Sequence, residues 1–350
     1  GERSKMALAV GLKEVEEART VLFGSSPGDA PGGVRVRRTP MLSDCETVTG
    51  APEWLQKHSV RLGLKLENMQ ALGCFKTRGM VYKMHQLLAS DVPPSELVSM
   101  SAGNFGRTMA HLCKAHGIPA VLFMPETVPE ERLSYIRSQC GATAMLAPGI
   151  ELASRVQEYC KQHPEAHFAH PFDDEALFAG YGSIGLEVLE QAPDVDVIVV
   201  PVGGGGLLAG IATAVKVAAA AEPGRKAVRV VGVEPTGAAS MYESVASGEQ
   251  HHLKEITTFV NGLAPPFAGK TALQYVLQYV DECVLVSDNE IKDAMKVLFN
   301  QYKIVAESAA AAALAALVTG KVKDVDGKNV VCVVSGGNID VHEMMLHIGH

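Results

Sequence analysis

Short apolar runs alternate with longer segments of helical periodicity over most of the chain. The run at residues 197–200 is apolar at every position, as in a parallel strand that helices cover on both faces. This alternation predicts an α/β fold with a mainly parallel sheet. Predicted strands lie at residues 61–67, 97–101, 120–124, 196–202, 228–234 and 329–334.

Four loops that follow predicted strands are candidates for function. An open parallel sheet leaves its ligand crevice at the carboxyl ends of its strands, so ligand-binding residues are expected there. The four loops lie at residues 101–106, 201–206, 234–239 and 335–338.

Composition and charge exclude several classes of protein. Of 350 residues, 47% are hydrophobic and 20% are charged, which is enough apolar material for a large core. The formal net charge of −8 offers no broad basic surface for nucleic acid or an anionic membrane. No apolar stretch has the length of a membrane span, and no secretory signal is expected. The seven cysteines form no Cys-x-x-Cys pair, which favours reduced thiols in a cytoplasmic protein.

A run of four glycines at residues 203–206 lies between a predicted strand and a predicted helix. Its backbone amides can converge on an anion at the helix N-terminus, which is typical of a phosphate site. The run also contains a loose dinucleotide fingerprint, Gly204-x-Gly206-x-x-Ala209, and Glu234 ends the next predicted strand. A nicotinamide-dependent dehydrogenase is therefore an alternative, although Glu234 comes later than the roughly 20 residues that this fingerprint expects.

Lys76 lies in an upstream segment, residues 73–79, which reads Gly-Cys-Phe-Lys-Thr-Arg-Gly. It is followed by Ser-Ala-Gly-Asn at residues 101–104, the four glycines, and Ser-Gly-Gly-Asn at residues 335–338. In order and approximate spacing, these four motifs resemble the fold-type II pyridoxal-phosphate enzymes, specifically the serine/threonine dehydratase and serine racemase family. The resemblance extends from about residue 38 to residue 340.

The resemblance implies a fold of two lobes, each with a mainly parallel sheet flanked by helices. Residues 1–89 and 175–350 would form a large lobe that binds pyridoxal phosphate, and residues 90–174 would form a small lobe inserted in the chain. The family also suggests a homodimer that acts on a small-molecule amino acid.

Pyridoxal phosphate needs an amine for its aldehyde, a cradle for its phosphate and a partner for its pyridine nitrogen. Lys76, the four glycines and Ser335 supply one each. In the family the lysine amine also removes the Cα proton, so burial and the cofactor are expected to lower the pKa of Lys76 toward neutrality.

The resemblance assigns the site residue by residue. Lys76 is the predicted catalytic residue. The predicted cofactor-binding residues are Phe75, Lys76, Asn104, Gly203, Gly204, Gly205, Gly206, Glu307 and Ser335. The predicted substrate-binding residues are Ser101, Ala102, Gly103, Asn104 and Phe105.

Ala102 bears on the type of reaction. Racemisation needs acids or bases on both faces of Cα, and serine racemases have Ser-Ser-Gly-Asn where this chain has Ser-Ala-Gly-Asn. Because Ala102 has no proton to give, the predicted reaction is dehydrative deamination of L-threonine or L-serine to a 2-oxo acid and ammonia. A neutral hydroxyl at Ser335 also suits fast β-elimination. An amino acid racemase of the same family is the alternative.

Three positions depart from the family pattern. Phe105 replaces the usual His of the substrate loop, and Cys74 replaces the usual Ser before Phe-Lys. Glu234 and the carbonyl of Ala238 match two ligands of the family's divalent-cation site, for Mg²⁺ or Ca²⁺, but Ser240 occupies the position of the expected acid. Because a hard cation needs several oxygen ligands, this metal site is incomplete.

Overall fold

The computed structural model describes residues 8–24 and 34–349. Within them, ten strands form two sheets: β1 (Met41–Leu42), β2 (Arg61–Leu66), β3 (Glu96–Met100), β4 (Ala120–Pro125), β5 (Thr143–Ala147), β6 (Ala166–Phe168), β7 (Val197–Pro201), β8 (Arg229–Pro235), β9 (Glu282–Val286) and β10 (Asn329–Val334). The α-helices of the same residues are α1 (Leu12–Phe23), α2 (Glu53–Lys57), α3 (Lys76–Leu88), α4 (Asn104–His116), α5 (Glu130–Ser134), α6 (Leu152–Gln162), α7 (Glu175–Gln191), α8 (Gly206–Ala221), α9 (Ser240–Ser247), α10 (Lys270–Tyr279), α11 (Asp288–Asn300), α12 (Ser308–Val318) and α13 (Val341–Ile348).

The first sheet has the strand order β1-β2-β10-β7-β8-β9. Only its edge strand β1 is antiparallel to its neighbour, while the remaining pairs are parallel. In β7, Ile198 and Val200 pack into the core that contains residues of α7 and α8. Val197 and Val199 point the other way, into the core that contains residues of α11 and α12. Helices therefore cover both faces of the central strand, as its continuous apolar run predicts.

The second sheet has the strand order β5-β4-β3-β6, and all its pairs are parallel. Its strands lie between residues 96 and 168, inside the range predicted for the small lobe. The two-sheet α/β architecture is confirmed, whereas the exact lobe boundaries at 90 and 174 stay a prediction.

All six strands predicted from the sequence are present, each shifted by at most one residue at either end. Three of the candidate loops follow β3, β7 and β10 and line a single cavity. The loop after β8, at residues 234–239, does not line it. None of the described helices is both long and apolar enough to cross a membrane.

Candidate active site

Lys76 begins helix α3 directly beside the loop that follows β10. Cys74 forms an isolated antiparallel bridge with Gly336. The amide of Phe75 donates to the carbonyl of Ser335 at 3.0 Å. These backbone contacts place the amine of Lys76 and the hydroxyl of Ser335 on neighbouring segments of the chain.

The amine of Lys76 is partly buried and lies among aromatic rings. Its Nζ lies 4.8 Å from the ring centroid of Phe75, 5.7 Å from that of Phe105 and 5.6 Å from that of Tyr181. It donates one hydrogen bond, of 2.9 Å, to the carbonyl of Pro171. Burial lowers the pKa of Lys76 to about 8, the direction expected for a lysine that must act as a base. A minority of the amine is therefore neutral at pH 7, a larger share than for an ordinary lysine.

The four-glycine loop joins β7 to the first turn of α8. Gly205 has a φ of +98°, a conformation that favours glycine. The first amides of α8 have no acceptor within their own helix, so they are available to an anion. A Cβ at Gly204 would lie 2.0 Å from the ring of Phe172, and one at Gly206 would lie 2.4 Å from the Phe172 carbonyl oxygen. Glycine is therefore required here by packing, a reason that the sequence did not reveal.

A polar network connects the loop after β3 to the loop after β10. Asn104 donates from Nδ2 to both carboxyl oxygens of Glu307, at 2.7 and 3.0 Å. Its Oδ1 accepts a hydrogen bond of 2.8 Å from Asn338. Burial raises the pKa of Glu307 to about 7, so this carboxyl titrates near neutrality. Two of the predicted cofactor-binding residues thus contact each other directly.

These elements enclose a cavity of about 790 Å³. Every residue predicted to bind cofactor or substrate lines it, whereas Glu234 and Ala238 do not. The cavity brings together an amine, a glycine-rich helix N-terminus and a hydroxyl, as the sequence predicted. The role of each residue stays a prediction.

A family model described as pyridoxal-phosphate dependent enzyme matches residues 36–336 of the chain. The chain belongs to this family. It is 40% identical over 284 residues to a protein of Thermotoga maritima named L-threonine ammonia-lyase, covering 80% of this chain and 67% of that one. It is 34% identical to the L-threonine dehydratase catabolic TdcB of Staphylococcus aureus, covering 97% and 92%.

A solved structure is similar to the whole fold. The serine racemase of Dictyostelium discoideum superposes with a TM-score of 0.80 at 30% identity, covering 95% of this chain and 99% of that one. These likenesses to lyases and a racemase give no support to the nicotinamide-dependent alternative.

The donor set of this pyridoxal-phosphate dependent enzyme fits its cofactor. Lys76 offers a partly buried amine with a lowered pKa, the start of α8 offers backbone amides, and Ser335 offers a buried hydroxyl. Cys74, which replaces a serine, is fully buried, and burial raises the pKa of its thiol to about 12. The thiol therefore stays protonated and serves as a small packing residue.

A divalent cation does not fit the predicted metal site. The carboxylate of Glu234 already accepts hydrogen bonds from the amides of Met241, at 2.9 Å, and Tyr242, at 2.6 Å, at the start of α9. The hydroxyl of Ser240 lies 3.4 Å from the same carboxylate. Burial raises the pKa of Glu234 to about 8. Among the described residues, no group of three or more His, Cys, Asp and Glu could hold a metal ion.

Sequence reasoning missed several residues of the cavity wall. Pro171 accepts a hydrogen bond from the amine of Lys76, 95 residues before it in the chain. Phe172 packs against the glycine loop, which lies after it in the chain. Arg132 of α5 pairs with Glu343 of α13 at 3.2 Å, and both line the cavity. Only tertiary structure brings these segments together. The signal available in the sequence was the segment His170-Pro171-Phe172-Asp173, which matches the family's passage between the two lobes.

Proposed function

We propose that this protein catalyses the dehydrative deamination of L-threonine or L-serine to a 2-oxo acid and ammonia. The observation that carries the proposal is the amine of Lys76, which forms no ion pair with the described residues and lines the same cavity as a glycine-rich helix N-terminus. Its relatives named threonine ammonia-lyase and threonine dehydratase support this choice of reaction.

In this proposal Lys76 first holds the cofactor and then accepts the Cα proton of the substrate. Bound pyridoxal phosphate supplies the electron sink that makes this proton acidic. A pKa of about 8 leaves part of the Lys76 population neutral near pH 7, so the amine can act as a base.

The remaining predicted residues divide between cofactor and substrate. We assign the binding of the cofactor's phosphate to residues 203–206 and of its pyridine nitrogen to Ser335. Phe75 would stack on the cofactor ring, and Asn104 would hydrogen-bond the ring hydroxyl. Glu307 orients Asn104 through two hydrogen bonds. Residues 101–105, at the start of α4, receive the substrate carboxylate.

Amino acid racemisation is the second candidate, because a serine racemase is similar to this chain over nearly its whole length. Ala102 argues against it. This residue lines the cavity and carries only a methyl group, so it cannot return a proton to the face of Cα opposite Lys76. We therefore propose that elimination dominates.

One incubation separates the two reactions. The protein is supplied with L- and D-serine and with L- and D-threonine, and products are followed by a 2-oxo acid assay and by chiral chromatography. We expect 2-oxo acid from the L-isomers and little D-isomer. Lys76→Ala should abolish the product, whereas Lys83→Ala, on the same helix but outside the cavity, should retain it. Rapid racemisation with little ammonia would reject the assignment.

Ala102→Ser tests the reason for the preference. A positioned acid contributes about 10²–10⁴-fold to a proton transfer, so the added hydroxyl should raise the ratio of racemisation to elimination. The neighbouring Phe105 must leave that hydroxyl room to point at Cα. An unchanged ratio together with wild-type elimination would show that residue 102 does not set the reaction type.

We also propose a homodimer that works in a reducing, cytoplasmic compartment. The family resemblance supports the dimer, and the seven cysteines, all free, support the compartment. Sedimentation equilibrium should give twice the chain mass of 37.1 kDa. A single-chain mass at micromolar concentration would reject the dimer.

A further inference from the structure

Arg107 is a cation of the cavity wall that the proposed reaction does not use. It lies on α4 one turn beyond the proposed substrate loop, and its amide donates to the carbonyl of Gly103 at 3.1 Å. Its side chain lines the cavity. The Nε atom is buried and has no hydrogen-bond partner among the described residues, and neither terminal nitrogen donates to any of them.

The guanidinium is held in place by an aromatic ring. It lies 4.2 Å from the ring centroid of Tyr135, which also lines the cavity. The Tyr135 hydroxyl is in turn 2.6 Å from Nε2 of His111, one turn further along α4. Stacking occupies a face of the guanidinium and leaves its N–H edge free to donate. The donor is therefore positioned but unsatisfied.

The other charged groups of the wall already have partners or assigned roles. Arg132 is paired with Glu343 at 3.2 Å, and Glu307 accepts from Asn104. Lys76 is assigned to the cofactor. In the described part of the chain, no carboxylate lies within 4.0 Å of Arg107. A partly buried charge with no partner is unfavourable unless a ligand of opposite charge pairs with it.

We propose that Arg107 binds an anionic group on the side chain of the substrate. The preferred substrate class is then a β-hydroxy amino acid with a second carboxylate. One helical turn, about 5.4 Å, separates Arg107 from the loop that receives the α-carboxylate, which suits a short dicarboxylic amino acid. A planar guanidinium also matches a carboxylate through two parallel hydrogen bonds.

This inference rests on the proposed function, because it uses the same cavity and the same elimination. The Cα–H and Cβ–O bonds break and water leaves. The released enamine tautomerises and is hydrolysed, which consumes one water and frees ammonia. The net products are a 2-oxo dicarboxylic acid and ammonia, so the reaction balances without an oxidant.

The test compares L-3-hydroxyaspartate with L-threonine as substrates of the holoenzyme. We expect a higher kcat/KM for L-3-hydroxyaspartate. Arg107→Gln should lower the ratio of the two kcat/KM values by about 10- to 100-fold, the range for hydrogen bonds to a charged group. Arg107→Lys, which keeps the charge but not the planar fork, should lower it less.

Arg137→Gln is the matched control, since Arg137 lies on the same turn as Tyr135 but is exposed and does not line the cavity. It should leave the ratio unchanged. A preference for L-threonine in the wild type, or an equal loss for both substrates in Arg107→Gln, would overturn the inference.

Equilibrium binding separates this inference from the proposed function. L-aspartate has the second carboxylate but no β-hydroxyl, and L-alanine has neither. By calorimetry, the wild type should bind L-aspartate more tightly than L-alanine, and Arg107→Gln should remove that difference. If no substrate yields a 2-oxo acid while this binding difference holds, the proposed function fails and the Arg107 site stands. Equal binding of the two amino acids would overturn the site.

Discussion

Lys76 and Arg78 lie two residues apart at the start of α3, but Arg78 is fully buried, Lys76 is partly buried, and their surroundings differ. Arg78 donates to Glu67 at 2.8 Å from two nitrogens, and to Glu187 at 2.7 and 2.9 Å. Lys65 also donates to Glu187, at 2.6 Å. Lys76 donates only to a backbone carbonyl, that of Pro171.

The two side chains therefore titrate in opposite directions. Burial alone would lower the pKa of Arg78, but Glu67 and Glu187 raise it above its ordinary value. Burial also lowers the pKa of Lys76, and no carboxylate forms an ion pair with it to offset the effect. The charge of Arg78 is thus balanced by carboxylates within the protein. The charge of Lys76 is not, so its amine remains available to react with a ligand.

The largest expected change in stability is at Arg78. Arg78→Met removes the cation but keeps a long apolar chain, and it leaves Glu67 buried without its partner. We expect the free energy of unfolding to fall by about 3–5 kcal/mol in a denaturant titration. The control is Arg155→Met, which breaks an exposed pair with Glu151 and should cost less than about 1 kcal/mol. Equal losses in the two variants would contradict the comparison.

At Lys76 we expect a change in the free energy of unfolding of the opposite sign. The pKa of Lys76 is about 8 in the folded protein against an ordinary 10.5, so the unfolded chain binds this proton more tightly. In cofactor-free protein, Lys76→Met should then raise the free energy of unfolding at pH 7 by roughly 2–4 kcal/mol. The gain should shrink as the pH rises from about 8 to 10.5.

Lys83→Met serves as the control for that gain, since Lys83 lies on the same helix and is paired with Asp174 at 2.9 Å. It should not stabilise the protein. A loss of stability in Lys76→Met that does not change with pH would mean that the amine is compensated within the fold.

A smaller effect is expected at the glycine loop. Gly204→Ala places a Cβ against the ring of Phe172 and should cost about 1–3 kcal/mol, with weaker cofactor binding in a fluorescence titration. Gly149→Ala is the control, because its Cβ would have nothing within 4 Å. Unaltered cofactor affinity in Gly204→Ala would show that the loop is not the phosphate cradle.

The smallest effect is expected from metal removal. Because Glu234 is satisfied by the amides of α9, dialysis against a chelator should leave both Tm and activity unchanged. Adding Mg²⁺ or Ca²⁺ afterwards should also change neither. Loss of activity on chelation, with recovery when either cation is added, would show that the predicted metal site is functional.

The sequence predicted the strands that are long, apolar and central, because burial on both faces leaves a continuous apolar run. It did not predict the four edge strands. Of these, β1 has two residues, β5 is mostly exposed, β6 has three residues, and β9 has only two buried residues. It located Lys76 and the glycine loop because strand ends and ordered motifs are visible along the chain.

Charge pairing could not be predicted in the same way. Arg78, Arg107 and Arg132 are equivalent in the sequence, yet one is fully paired, one is free and one bridges α5 to α13. Their partners are distant in the chain, and only the packing of helices decides which carboxylate each can reach. The same limit explains why the contact of Lys76 with Pro171 was missed.

The most direct test of the account is the identity of the lysine that carries the cofactor. The protein is saturated with pyridoxal phosphate, reduced with borohydride, digested and mapped by mass spectrometry. We predict that the label lies on Lys76 and that Lys76→Ala loses both the label and the absorption band near the edge of the visible range. A label on Lys65, Lys83 or any other lysine, with Lys76 unmodified, would contradict the account.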